Sequence, residues 1–169
     1  QPGEDVLYRI GVPGKVLKLI RQAYDVVVIL VQAMRRIRIK HFVKSEPYFR
    51  CEVEVLKSTT PDGKDQNWQA RVKNLRDTAI QLLDLTPDAP DQARVMLMNI
   101  SEPGQLADFL ASNLNIEVHE KQDLLEELDV SKRVTGVQQR LSSQLEIARL
   151  QQKLQQDVAS QISDSQKRV

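Results

Sequence analysis

The sequence predicts an α+β chain: an antiparallel β unit over residues 1–60, a bundle of short helices over 61–130, and one long protruding helix over 131–169. Three observations carry that prediction. Apolar, often β-branched residues alternate with period two as far as Val55, which is the pattern of strands. From Gln66 onward apolar residues recur every three or four positions, which is the pattern of helices. Charge changes sign at the same boundary. Residues 1–57 hold 11 Lys/Arg and 6 Asp/Glu, residues 58–169 hold 13 and 17, and the whole chain carries +1.

In the β unit, residues 15–20 mix apolar and basic side chains in short-range order, and 26–31 (Val-Val-Val-Ile-Leu-Val) form a β-branched block. Residues 36–40 (Arg-Ile-Arg-Ile-Lys) alternate strictly, and 48–55 alternate as well. Gly11, Pro13-Gly14, Glu46-Pro47 and Pro61-Asp62-Gly63 punctuate these runs as turns. Four strands with no helical interruption fit an antiparallel meander or a small barrel, though four barely close a barrel. The 26–31 block reads as a buried core strand, and Cys51, between Arg50 and Glu52, as a small core hydrophobe.

In the helical half, Trp68, Val72, Leu75, Ala79 and Leu82 mark one face of a helix over 66–83. Thr86-Pro87-Asp88 is expected to end it and open the next, with Thr86 as N-cap and Pro87 in the first turn. Ala93, Met96, Leu97 and Ile100 give a second face, and Leu106, Phe109 and Leu110 a third, entered through Ser101-Glu102-Pro103. Residues 120–128 form a short acidic helix with Leu124, Leu125 and Leu128 inward. Asp129-Val130-Ser131 then caps a segment without proline that runs to Val169, in which only Gly136 disfavours helix. A continuous helix over 131–169 would be about 58 Å long, against a body about 40 Å across. Its far end, with Leu154, Val158 and Ile162, is therefore expected to protrude or to meet another copy. The nine glutamines from Gln138 to Gln166 agree with a wet or shared face.

Composition excludes several classes of function. At 41% apolar and 28% charged, the 169 residues suit a globular chain, one long enough to bury roughly 70% of its unfolded surface. A net charge of +1 and 4% aromatics point away from nucleic acid and base-stacking modules. The six-residue apolar run at 26–31 is too short to span a bilayer, so no membrane association is expected. The opening Gln-Pro-Gly-Glu-Asp has no secretory leader pattern, and the lack of an initiator Met suggests a trimmed fragment. With Cys51 alone, no intrachain disulfide can form, and a reducing, cytoplasmic setting is expected.

No catalytic constellation emerges. Gly14-Lys15 and Gly63-Lys64 lack the glycine upstream and the Ser/Thr downstream that a phosphate loop requires. His41 reads as the outer end of a strand and His119 as a loop or N-cap residue; neither has a second ligand at metal spacing. Catalytic, cofactor and metal sites are accordingly expected to be absent. Arg36, Arg38 and Lys40, with Arg35 and Lys44, could track phosphates. They read more simply as the charged outer face of a strand, which discourages edge-to-edge pairing.

The helical half resembles the N-terminal domain of the Lon family of ATP-dependent serine proteases. The resemblance rests on residues 102–111 (Glu-Pro-Gly-Gln-Leu-Ala-Asp-Phe-Leu-Ala), 121–126 (Lys-Gln-Asp-Leu-Leu-Glu) and 129–134 (Asp-Val-Ser-Lys-Arg-Val), in the family's order and spacing. Glu146-Ile147 and 162–168 are similar to the long helix ahead of the family's ATPase, and 4–11 and 28–39 resemble two of its β segments. There are departures. The family's first strands and first helix would precede Gln1, so the β unit is expected to be incomplete at its N-terminus. Gln32-Ala33 stands for the usual Glu-Gly, Ala23-Tyr24-Asp25 for the Asp-Gly hairpin, and 11–14 (Gly-Val-Pro-Gly) for Gly-Thr-Val-Ala, so the turns are expected to differ.

The resemblance implies a PUA-like β subdomain followed by a helical subdomain. It implies a non-catalytic domain that engages unfolded or damaged protein substrates and supports hexamer assembly in protein quality control. ATP, Mg and the Ser-Lys dyad would belong to domains of the full-length parent that lie beyond this sequence. Candidate substrate contacts are Val27 and Ile29 of the β-branched block and the Arg36, Arg38, Lys40 face; candidate oligomer contacts are Leu154, Val158 and Ile162. Two other readings stay open at this point: a PUA-like nucleic-acid-binding module, and a coiled-coil adaptor built on residues 131–169.

Overall fold

The computed structural model describes residues 3–23, 25–87 and 89–166, so the expectations resting on Tyr24, Asp88 and 167–169 lie outside the described residues. The chain divides into two compact units, Gln1–Ser58 and Thr59–Val169.

The first unit is antiparallel β, as predicted, but forms two separate pieces rather than a barrel. After a single 3-10 turn at Glu4–Val6 come β1 (Ile10–Gly11), β2 (Gly14–Arg21), β3 (Val27–Ala33), β4 (Ile37–Lys44) and β5 (Arg50–Val55). One sheet has the order β1-β4-β5, and β2 and β3 form a two-stranded ribbon. The ribbon's turn closes with the Gln22 amide donating to the Val26 carbonyl at 2.8 Å. The left-handed position falls on Asp25, at φ 57°, a residue type that tolerates it better than alanine. At the other end Gly14 faces Ala33, and a Cβ at Gly14 would collide with the Val31 side chain.

None of the described residues of this unit is buried, which corrects two expectations. The 26–31 block is exposed throughout rather than core. Cys51 is exposed as well, opposite Phe42 on the β4–β5 ladder. The physical reason is shared. Period two fixes which residues share a face, but burial needs a second layer, and among the described residues neither the β2–β3 ribbon nor the β1-β4-β5 sheet that carries Cys51 buries a residue under one. Partial cover comes from local packing: the Phe42 and Phe49 rings meet at a tilt of 59° with centroids 5.4 Å apart, and the Arg9 guanidinium lies 5.3 Å from the Phe42 ring.

The second unit holds the core. It comprises α1 (Gln66–Asp84), α2 (Asp91–Asn99), α3 (Pro103–Asn113), α4 (Val118–Glu126) and α5 (Val130–Gln166). Asp65 caps α1, accepting from the Asn67 and Trp68 amides. Trp68, Leu75 and Ala79 are buried against Leu106, Leu110, Val134, Val137 and Leu141. Pro103 opens α3 in its first turn, and Glu117 with Glu120 forms a capping box on α4. Thr59 is pinned to the start of α5, its amide donating to Leu128 O and its carbonyl accepting from Val130 N. Gly136 lets α4 approach: a Cβ there would stand 3.0 Å from Leu124.

Details here depart from the sequence reading. Thr86 does not cap α2; its hydroxyl donates back to Leu82 O at the end of α1, and Pro90 holds the N-cap position of α2. Met96 is half exposed rather than inward. His119 lies inside α4, and His41 within β4 rather than at its outer end.

The long helix follows its predicted course. Val134, Val137, Leu141 and Leu145 are buried, whereas every residue from 149 to 162 is exposed. Its 37 residues run about 56 Å. An uncovered helix end is marginal in water. Amides of 154–162 are expected to exchange roughly 100-fold or more faster than those of 134–145 in a dilute monomer. Equal protection along both stretches in a proven monomer would mean that the end is covered.

Candidate functional site

The β2–β3 ribbon is the largest concentration of exposed apolar side chains in the β unit. Opposed residues share a face. The pairs Val16–Val31 and Leu19–Ile29, with Val27 opposite Arg21, place one apolar set on one side. Ile20–Val28 and Leu30, opposite Lys18, place another on the reverse. Leu17 is the extra residue at the register shift between Val16 and Lys18. Together Val16, Leu17, Leu19, Ile20 and the five residues 27–31 are each 42–58% exposed. A ribbon apolar on both faces is what the β-branched composition produces when no alternation with polar residues is imposed. Among the described residues each strand of the ribbon pairs on one side only, which leaves peptide groups on both outer edges.

The basic strand β4 lies on the other sheet, opposite an acidic one. Arg38 Nη1 meets Glu54 Oε1 at 2.7 Å, Lys40 Nζ meets Glu52 Oε1 at 3.4 Å, and His41 Nε2 stands 3.2 Å from Glu52 Oε2. All are half-exposed surface pairs, of the kind usually worth under about 1 kcal/mol. Arg36 is partly buried, and its carbonyl accepts from the Leu56 amide. Arg38 and Lys40 are thus balanced across the ladder by Glu54 and Glu52, a partnership that the sequence of one strand alone does not show. The +5 of residues 1–57 is not gathered there into one bare cationic stripe.

Leu154, Val158 and Ile162 stand at spacings of four on the exposed stretch of α5 and prolong a stripe begun by Ile147 and Leu150. Nothing among the described residues gathers catalytic chemistry. No group of three or more His, Cys, Asp or Glu could hold a metal ion. No described helix is long and apolar enough to cross a membrane. Gly14 and Lys15 are paired within β2 opposite Ala33 and Gln32, and the Lys64 amide is taken by Asp62 Oδ1 in a turn, so neither Gly-Lys pair forms a phosphate cradle.

Comparison with known proteins bears on this arrangement. The model of a family described as the ATP-dependent protease La (LON) substrate-binding domain matches residues 1–143. The Lon protease of Dictyoglomus thermophilum is 36% identical over 166 residues, covering 98% of this chain and 21% of the relative. That of Syntrophus aciditrophicus is 35% identical over 161 residues, covering 95% and 20%. The chain thus spans about a fifth of the length of these relatives. Among solved structures, the N-terminal domain of the Mycobacterium avium complex Lon protease superposes with a TM-score of 0.67 at 22% identity, over 83% of this chain and 74% of that one. A Lon N-terminal domain protein from Xanthomonas campestris gives 0.53 at 15% identity, over 79% and 69%. At those identities the likeness is one of fold.

Proposed function

This chain belongs to the family of Lon substrate-binding domains, and from that premise we propose that it holds unfolded or damaged protein chains on its β2–β3 ribbon without cleaving them. The observation that carries this reading is the ribbon's run of nine half-exposed apolar residues on two faces. Exposed apolar surface of this extent marks a place that other polypeptide covers. An unfolded chain offers the two complements it needs. Its apolar side chains cover the faces, and its extended backbone adds to an open strand edge. In this proposal Val27 and Ile29 supply apolar contact, while Arg38 and Lys40 engage acidic stretches of the bound chain by exchange with Glu54 and Glu52, and Arg36 adds a third cation beside them.

The parent, on this reading, is a cytoplasmic, ATP-dependent serine endopeptidase, and ATP and Mg act in its other domains. Assembly into a hexamer would link six such weak surfaces and raise avidity well above the affinity of one. The Leu154, Val158, Ile162 stripe is the proposed contact between copies. Nothing in the fold or the comparisons favours the nucleic-acid or free-standing coiled-coil readings.

The test is a titration of the 169-residue chain with fluorescently labelled, reduced and carboxymethylated α-lactalbumin, which stays unfolded. Leu19→Thr with Ile29→Thr keeps strand propensity but removes apolar area worth about 1 kcal/mol at each site, so Kd is expected to rise some thirtyfold. An unchanged Kd in a double variant with an unaltered circular dichroism spectrum would remove the ribbon from the account.

A further inference from the structure

The helical unit carries an open groove of about 830 Å³ among α1, α2, α3 and α5. Its floor is buried leucine, from Leu97, Leu110, Leu114 and Leu141, and its upper walls include Met96 and Ile147, 51% and 55% exposed. Its most informative property is charge. Among the described residues, none of the 21 that line it is ionisable, in a chain of which 28% is charged. The polar side chains around it are the Thr86 hydroxyl and carboxamides, among them Asn113, Asn115 and Gln144. Asn113 Nδ2 donates to Phe109 O and Gln144 Nε2 to Asn115 O, so these two meet a peptide through their oxygens, as acceptors for its N–H groups. The outer wall is α2, which packs chiefly on α1 and is tied down at its C-terminal end by the Arg76 guanidinium, which donates to Leu97 O and to Ile100 O. Pro87 and Pro90 line the approach to it, and the thioether of Met96 can reshape to different occupants.

Resting on the substrate-engaging reading above, we propose that this groove is a second engagement site, separate from the ribbon, that takes a short uncharged apolar segment of an unfolded polypeptide. Charge complementarity selects that occupant. An acidic or basic segment would lose its hydration with no counter-charge to meet it. An apolar segment buries its side chains on the leucine floor while the carboxamides answer its backbone. The volume falls within the range of ordinary ligand sites. The end of α5 from a second copy fits less well, because Lys153 and Asp157 flank its apolar positions Leu154 and Val158.

The experiment uses the 169-residue chain and a fluorescein-labelled decapeptide of Ala, Gly, Leu and Phe, alongside the same peptide with two leucines replaced by aspartate. The uncharged peptide is expected to bind at least tenfold more tightly. In the Leu19→Thr, Ile29→Thr background, which removes the ribbon's own share of peptide binding, adding Met96→Asp and Ile147→Asp, both at half-exposed positions, is expected to weaken binding at least tenfold. Should the aspartate variant fail to fold, Ile147→Cys in a Cys51→Ser background, labelled with bimane, is expected to shift its emission to the blue on adding the peptide. Equal binding of the two peptides, no loss in the folded aspartate variant, or no bimane shift would overturn the groove assignment and leave the ribbon reading standing if α-lactalbumin still binds. A bimane shift that appears without peptide as the chain dimerises in sedimentation would assign the groove to a second copy and overturn the proposal. If neither α-lactalbumin nor the peptide binds, the substrate-engaging reading itself falls.

Discussion

Arg133→Met is expected to destabilise the helical unit by about 3–5 kcal/mol, the usual cost of removing one partner from a buried ionic and hydrogen-bonded group. The Arg133 side chain is 1% exposed. Its Nε and Nη2 donate to Glu127 O at 2.9 and 2.6 Å, and its Nη1 meets Asp108 Oδ1 at 3.2 Å. One guanidinium therefore satisfies the carbonyl at the end of α4 and reaches a carboxylate on α3 from a position in the first turn of α5. Methionine fills much of the volume but leaves the Glu127 carbonyl without these donors. Lysine has the charge without the planar fork, so Arg133→Lys should recover only part of the loss. Urea unfolding checks this: the midpoint should fall with an unchanged slope. A change below about 1 kcal/mol for Arg133→Met would mean that the contacts are dispensable.

Trp68→Ala is expected to cost about 3–5 kcal/mol, the range for emptying a buried aromatic site. Trp68 is 3% exposed, sits in the core with Leu75, Ala79 and Val134, and has the Arg71 guanidinium 5.6 Å from its ring. Arg71 in turn donates to Ser131 Oγ and Ser131 O, tying α1 to the start of α5. Because Trp68 is the only tryptophan, native emission reports this site alone and is expected to lie well to the blue of free indole in water. A maximum typical of exposed indole, or a loss below about 1 kcal/mol, would contradict the packing described.

These two residues also mark what the sequence made legible. Trp68 lies on a clean helical face with Val72, Leu75 and Ala79, so periodicity predicts its burial, and its place on that face suggests a position between the β and helical units; it is instead buried in the core of the helical unit itself. Arg133 has no such signature beyond its place in the 129–134 run, because a single charge inside a helical repeat reads as outward-facing. The run from 102 to 134 that carries the resemblance proves to be the structural clasp of the unit. Pro103 starts α3, Gly104 lies 3.6 Å from Val130 by its would-be Cβ, Asp108 meets Arg133, and Asp129 caps α5 through the Ser131 amide.

The β half was legible in its strands and not in its exposure. Alternation at 48–55 and the block at 26–31 located β5 and β3, but no local pattern says whether a second layer covers them. The charge pairs Arg38–Glu54 and Lys40–Glu52 depend on register, which bulges at Ile39/His41 and Phe42/Lys44 shift. The groove in the helical unit was invisible for a related reason. It is assembled from four helices spread over residues 79–151, and Met96, one of its walls, has the spacing of a core residue.

The central claim is that this domain holds unfolded chains by apolar contact. The α-lactalbumin titration repeated from 50 to 500 mM NaCl tests it most directly. Apolar capture predicts a Kd that changes less than about threefold over that range, since burial of apolar surface is not weakened by salt and Arg38 and Lys40 only exchange Glu54 and Glu52 for carboxylates of the bound chain, pairs that salt screens alike. A Kd that climbs steeply, by a hundredfold or more, as contacts to a polyanion do, or an absence of binding at any salt, would contradict it.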